Sequence, residues 1–212
     1  MRKSYNFTFL LIPLFCISAV YGQNINLHFD NEVLNISGAT GTYTLDIAIQ
    51  TDEVTSLGSG ALSFDYNANA FGQNAVSAGN IQLNLPNGYW LAQETNSGEV
   101  IYTFPKITDT GNDRFEITWD QVIEGACMDD LPLGQSESLF HLELTYVANG
   151  INYSTGLCFA QTTDDELFTA CGSNTICNGD DANCLLFPAT EHTNISYSCA
   201  SVILPCPGNQ DE

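Results

Sequence analysis

Tyr43-Thr44-Leu45-Asp46-Ile47-Ala48-Ile49 is the stretch whose reading decides the fold. Large apolar side chains stand at 43, 45, 47 and 49, with Thr, Asp and Ala between them. Successive side chains of an extended chain point to opposite faces, so this period of two puts all four large groups on one face of a strand. The same period recurs in Ile25, Leu27, Phe29, in Leu62, Phe64, Tyr66, and in Ile81, Leu83, Leu85. It returns in Val100, Tyr102, Phe104, in Phe115, Ile117, Trp119, and in Phe140, Leu142, Leu144, Tyr146. Turn chemistry punctuates the runs at Gly58-Ser59-Gly60, Pro86-Asn87-Gly88, Thr110-Gly111-Asn112-Asp113 and Asn149-Gly150. No stretch of helical length shows a 3.6-residue period, and Asn69-Ala70-Phe71 suffices for one helical turn.

Strands with one apolar face must bury it against one another, in a two-layer sandwich or a barrel. The turn signals lie farther apart than in immunoglobulin domains, and no cysteine stands between residues 23 and 90 to make the Cys…Trp…Cys pattern around Trp90. The chain therefore reads as all-β, a jelly-roll-like antiparallel β-sandwich of about eight or nine strands over residues 23–169. From 170 to 212 the composition shifts to Cys, Asn, Asp and Pro, with a further alternating run at Ile195, Tyr197, Cys199. This part reads as a disulfide-tied acidic extension that packs back on the sandwich, since some 40 residues seldom make a core alone.

Ahead of the strands stand Met1-Arg2-Lys3, an apolar run from Phe7 to Val20, and Val20-Tyr21-Gly22. This is the layout of a secretory signal, and the run is short for a membrane span. Residues 1–22 are expected to be removed and the mature chain to begin at Gln23, secreted or held at the cell surface, with no membrane insertion. A lipid anchor on Cys16 is disfavoured by the bulky Phe15 before it. Cleavage leaves Lys106 and Arg114 alone against 25 carboxylates, a net charge of −23. Such a charge repels nucleic acid and anionic lipid. It also suits salty water, where screening hides the self-repulsion.

Seven cysteines remain after cleavage: Cys127, Cys158, Cys171, Cys177, Cys184, Cys199 and Cys206. Such a density persists as disulfides in an oxidising compartment. The number is odd, so one thiol is free, paired between chains or matched by a cysteine elsewhere. Cys127 is expected to pair with Cys158, and the last five largely with one another. No Cys-x-x-Cys pair argues for zinc.

Two stretches resemble a known family. Leu57-Gly58-Ser59-Gly60-Ala61-Leu62-Ser63-Phe64-Asp65-Tyr66-Asn67-Ala68-Asn69-Ala70-Phe71 is similar to the strand and corner of cohesin-like domains, with Asp65 before Tyr66 where those have it after. Ser138-Leu139-Phe140-His141-Leu142-Glu143-Leu144-Thr145, followed by Gly156-Leu157-Cys158-Phe159, resembles their late strands. The resemblance spans about residues 25–170. It implies the cohesin and cellulose-binding-module superfold of secreted bacterial surface proteins, whose roles are carbohydrate binding and protein docking.

Catalytic chemistry is not singled out. His28 and His141 fall on outward strand positions as solvated face residues, no Gly-x-Ser-x-Gly elbow occurs, and no acid pair stands apart among 25. The expectation is no enzyme but a binding module, glycan-binding first, with protein docking or adhesion in a cell-surface assembly as the alternative. Tyr89 and Trp90 follow the 86–88 turn, and if they sit on a strand one of them faces solvent as a sugar platform. Asp109, Asn112 and Asp113 put three oxygen donors on one turn, the donor set of a calcium site and equally of an ordinary hairpin. Asp180, Asp181 and Asn183 repeat the pattern, and sequons stand at Asn35, Asn152 and Asn194. Beyond calcium no cofactor is implied.

Overall fold

The computed structural model describes residues 24–37, 40–52, 56–94, 98–121, 134–147, 152–160, 168–171, 194–197, 199–200 and 202–204. Residues 1–22, Cys127, Cys177, Cys184, Cys206 and the Asp180–Asn183 turn lie outside them. Strands follow in the order β1 (Asn24–Ser37), β2 (Thr40–Thr51), β3 (Ser56–Asp65), β4 (Ile81–Asn84), β5 (Lys106–Gly111), β6 (Arg114–Trp119) and β7 (Ser136–Val147). Then come β8 (Tyr153–Ser154), β9 (Cys158–Phe159), β10 (Phe168–Cys171), β11 (Asn194–Tyr197) and β12 (Ile203–Leu204). A single helical turn, α1 (Ala68–Phe71), follows β3, capped by the Asn67 side chain accepting from the Asn69 N–H.

One sheet runs β11-β1-β2-β7-β4; the other runs β10-β3-β6-β5, with β9 also on β3; β12 and β8 form a small ribbon. All these ladders are antiparallel except β1 with β11, which is parallel. The period of two decides which face is buried. Tyr43, Leu45, Ile47 and Ile49 of β2, and Phe140, Leu142, Leu144 and Tyr146 of β7, are buried opposite Leu62, Phe64, Phe115, Ile117 and Trp119 of the other sheet. Trp119 and Phe140 meet across the layers with ring centroids 6.4 Å apart. Each such side chain contributes about 1.5–3 kcal/mol on burial, against the entropy of ordering its strand. The jelly-roll-like sandwich is thus what the alternating runs implied, with more strands because β8, β9 and β12 are only two residues long and carry no period.

Two local readings are corrected by the structure. Gly58-Ser59-Gly60 is no turn but the middle of β3, and Gly60 lies opposite Trp119. A Cβ at Gly60 would collide with the indole ring, so the glycine makes room for the tryptophan to close over the strand. The run Val100, Tyr102, Phe104 makes no strand with one buried face. Tyr102 is buried and donates its hydroxyl to the Leu57 carbonyl at 2.6 Å, whereas Val100 and Phe104 are exposed. Its strand pairing is limited to isolated bridges, Glu94 with Val100 and Tyr102 with Gln121, and Pro105 has no N–H to extend a ladder. The strand here is β5, which the Asn112-Asp113 turn joins to β6.

Within the 170–212 extension, β11 pairs with β1 of the first sheet, and β12 pairs with β8 in the small ribbon. The boundary expected between 169 and 170 falls inside β10, which pairs with β3.

Candidate functional site

Asp46 stands on the outward face of β2 and is nonetheless only 3 % exposed. Three segments cover it. β1 bulges between Asp30 and Val33, where Asn31 takes φ of 50°, and this extra length turns the Asn31 side chain toward Asp46. β7 sets His141 directly opposite Asp46. The turn at 86–88, closed by Tyr89 N–H donating to the Pro86 carbonyl, lays the Tyr89 ring over the same place. Tyr89 Oη donates to Asp46 Oδ1 at 2.7 Å, His141 Nδ1 donates to the same oxygen at 2.7 Å, and Asn31 Nδ2 donates to Oδ2 at 2.7 Å. A carboxylate can only accept, so the proton of the histidine bond sits on Nδ1.

Burial opposes charge on Asp46, but the Tyr89, Asn31 and His141 hydrogen bonds outweigh it and hold the carboxyl below its ordinary range. Burial first, and then the bond to Asp46, push the Tyr89 phenol well above its ordinary value. At neutral pH the cluster is a carboxylate with a neutral phenol on it. Both of its oxygens are engaged, so it ties four segments together. His141 is therefore not the solvated face residue expected from its alternation, and its side chain is 26 % exposed. His28 likewise has a partner, its Nε2 lying 2.9 Å from Ser136 Oγ.

The aromatic pair is placed differently from the expectation. Trp90 begins a short 3₁₀ turn (Trp90–Ala92) and is 5 % exposed, packed in the core, while the Tyr89 hydroxyl is committed to Asp46. The premise of a strand with alternating faces fails here because the chain turns helically after residue 89.

Asp109, Asn112 and Asp113 are brought together by the β5–β6 hairpin, where the Asp109 carboxylate and the backbone carbonyls of Asn112 and Asp113 already have donors. Asp109 Oδ1 accepts from Val76 N–H at 3.1 Å, and Oδ2 accepts from Ser77 N–H at 2.8 Å and Ser77 Oγ at 2.6 Å. The Asn112 carbonyl accepts from Tyr66 Oη at 3.0 Å and Asn74 N–H at 3.2 Å, and the Asp113 carbonyl accepts from Tyr66 N–H at 2.9 Å. The hairpin tip thus docks the 74–79 turn, whose leading N–H groups Asp109 caps. Among the described residues no group of three or more His, Cys, Asp or Glu side chains is arranged to hold a metal ion.

Cys158 is bonded to Cys199 and not to Cys127. The reason is placement: β9 and the chain following β11 bring these two residues directly opposite each other. Cys171 ends β10, opposite Ser56 of β3.

No family model matches the chain, and no curated protein matches it. Solved structures similar to it include a type II cohesin domain from the cellulosome of Acetivibrio cellulolyticus, 13 % identical, TM-score 0.36, covering 68 % of this chain and 83 % of that one. A second type II cohesin module, from the adaptor ScaA scaffoldin of Acetivibrio cellulolyticus, is 11 % identical at TM-score 0.38, covering 70 % and 85 %. A non-cellulosomal cohesin from Archaeoglobus fulgidus is 10 % identical at TM-score 0.36, covering 68 % and 77 %. These are likenesses to cohesins, the family that residues 57–71 and 138–145 resemble, and at this level they say nothing about function.

Proposed function

We propose that the chain is an exported, non-catalytic domain whose ligand is another protein. The carrying observation is the kind of side chain left facing solvent. Among the described residues the large exposed apolar groups are Val33, Val100, Phe104 and Ile203, three of them aliphatic. Sugar rings stack on aromatic faces, and aliphatic side chains offer them no comparable surface. A protein partner buries both kinds. Val100 at 58 % and Phe104 at 66 % exposure fall within five residues of each other, so this segment is the first place to look for the contact. The buried Trp90 and the Asp46-bound Tyr89 weaken the glycan platform. Among the described residues, the titratable side chains around Asp46 are committed to one another by hydrogen bonds and tie segments of the fold together. The resemblance of the strand stretches to cohesin-like domains implies docking among its roles.

Carbohydrate binding stays as the second reading, favoured by the exposed ring of Phe104. Both are tested with the mature domain and a Val100→Ser/Phe104→Ser double variant. Each is offered secreted proteins from the source organism and a panel of polysaccharides, and any captured protein is purified and rebound. A purified partner that binds the parent and at least tenfold more weakly the folded double variant supports docking at this segment. Binding to a polysaccharide that Phe104→Ala abolishes, with no protein partner, overturns it in favour of the glycan reading.

A further inference from the structure

The last described residues cross from one sheet to the other. β11 lies along residues 24–27 at the edge of the first sheet. Two residues later Cys199 is bonded to Cys158 in β9, a strand of the second sheet. Ala200 N–H then donates to the Leu157 carbonyl at 2.8 Å, and Thr155 N–H donates to the Val202 carbonyl at 3.1 Å. Thr155 Oγ donates to the Ala200 carbonyl at 2.8 Å, and β12 closes on β8. Ala200 and Leu204 are buried, as are Thr155 and Leu157 which the segment binds. Nearby, Phe159 of β9 stacks on Phe29 of β1 with centroids 4.9 Å apart and packs on Phe64 at 4.8 Å, so rings of the two sheets meet at this border.

We infer that residues 194–197, 199–200 and 202–204 form a strap closing this border of the sandwich, and that the Cys158–Cys199 bond is a redox-sensitive latch on it. The inference stands independently of what the domain binds. Among the described groups, and apart from the disulfide and the bridge of Cys199 with Cys158, the strap is held by four paired residues at β11, two at β12, three further hydrogen bonds, the buried Ala200 and Leu204 and the partly buried Val202. Ordering a dozen residues costs free energy of the same order as such contacts return, so the covalent bond decides whether the strap stays closed. By contrast β2 is held along its length on both sides, by β1 and by β7. The latch is reachable, since Cys199 is exposed and Cys158 half-buried.

The opening step needs a dithiol. Its thiolate attacks the Cys199 sulfur, the S–S bond breaks, and Cys158 leaves as a thiolate that takes up a proton. The second thiol of the reagent, deprotonated, then displaces Cys199, which leaves as a thiolate and takes up a proton in turn. The protein ends with two thiols and the reagent as a disulfide. The unlatched strap bares residues 24–27 of β1 as a free strand edge and uncovers Thr155.

The test is hydrogen exchange on the whole mature chain, comparing the parent with a Cys158→Ser/Cys199→Ser double variant under non-reducing conditions. Amides of 24–27 and 153–158 should exchange at least tenfold faster in the variant, while those of β2, β3, β6 and β7 stay within twofold. Unchanged protection at 24–27 and 153–158 would show that the bond does not hold the strap. Loss of protection throughout would show that it holds the whole fold, and either result overturns the inference. As a second measurement, the folded parent is treated briefly with a dithiol and alkylated. Cys158 and Cys199 should label before exchange in β2 and β7 changes; a bond that survives until the sandwich unfolds contradicts the latch.

Discussion

Asp46 and Asp109 each accept three hydrogen bonds, yet they do different things. The donors to Asp46 are side chains from positions 31, 89 and 141, so this carboxylate joins parts of the chain far apart in sequence. The donors to Asp109 are two adjacent N–H groups and one hydroxyl of residues 76–77, so it caps a single turn. Asp46 is buried and Asp109 half-buried. A count of hydrogen bonds does not measure importance; burial of the acceptor, deeper at Asp46 than at Asp109, does.

The largest expected effect follows directly. Asp46→Ala leaves the part-buried Tyr89 hydroxyl and His141 ring without their acceptor and removes the tie to Asn31, and should cost about 3 kcal/mol. Asp109→Ala removes a cap whose donors lie closer to water, and should cost about 1 kcal/mol. Urea unfolding of both variants checks this, provided the denaturant slope is unchanged. Equal losses would mean that the two carboxylates are alike after all.

Acid should act on the same contrast. The folded-state pKa of Asp46 lies below its ordinary value, so the group contributes stability at pH above about 3.9, the unfolded value, and that contribution is lost as pH falls through the folded pKa. The stability difference between the parent and Asp46→Asn should therefore be flat from pH 7 to about 5 and shrink below about 4. A difference that persists undiminished at the acid end would mean that the Asp46 charge is not what its donors stabilise.

The contrast also marks what could be read from the chain. Burial of β2, β6 and β7 was legible because long strands with one wet face carry a period of two, and hairpin 109–113 was legible from its Asx and Gly residues. The Asp46 cluster was not. Asp46 occupies an ordinary polar position of an alternating strand, and its partners are 15, 43 and 95 residues away. One signal was present: Asp30-Asn31 interrupts an apolar strand run with turn residues, which is where the bulge falls. The segment 100–104 was misread for the opposite reason. It has the right period but is held by isolated bridges, and alternation does not report whether a strand has neighbours. Likewise the partner of Cys158 depended on a crossing between sheets that spacing does not contain.

The smallest expected effect concerns calcium at the β5–β6 hairpin, and there the expected difference is none. A calcium ion takes six to eight oxygen ligands, and Asp109, Asn112 and Asp113 were read as candidates to supply three. In the fold the Asp109 carboxylate and the carbonyls of Asn112 and Asp113 already accept from Val76, Ser77, Tyr66 and Asn74. A cation bound through the Asp109 carboxylate would have to displace the Val76 and Ser77 donors that seat the 74–79 turn. The sequence carries a formal net charge of −21, so any salt should raise the melting temperature by screening repulsion. Calcium and magnesium should therefore raise it equally at the same concentration and ionic strength, and Asp113→Ala should respond as the parent does. A rise that saturates with calcium, that magnesium does not reproduce and that Asp113→Ala removes would restore the metal site, and would show that Asp109 is drawn away from the turn it caps.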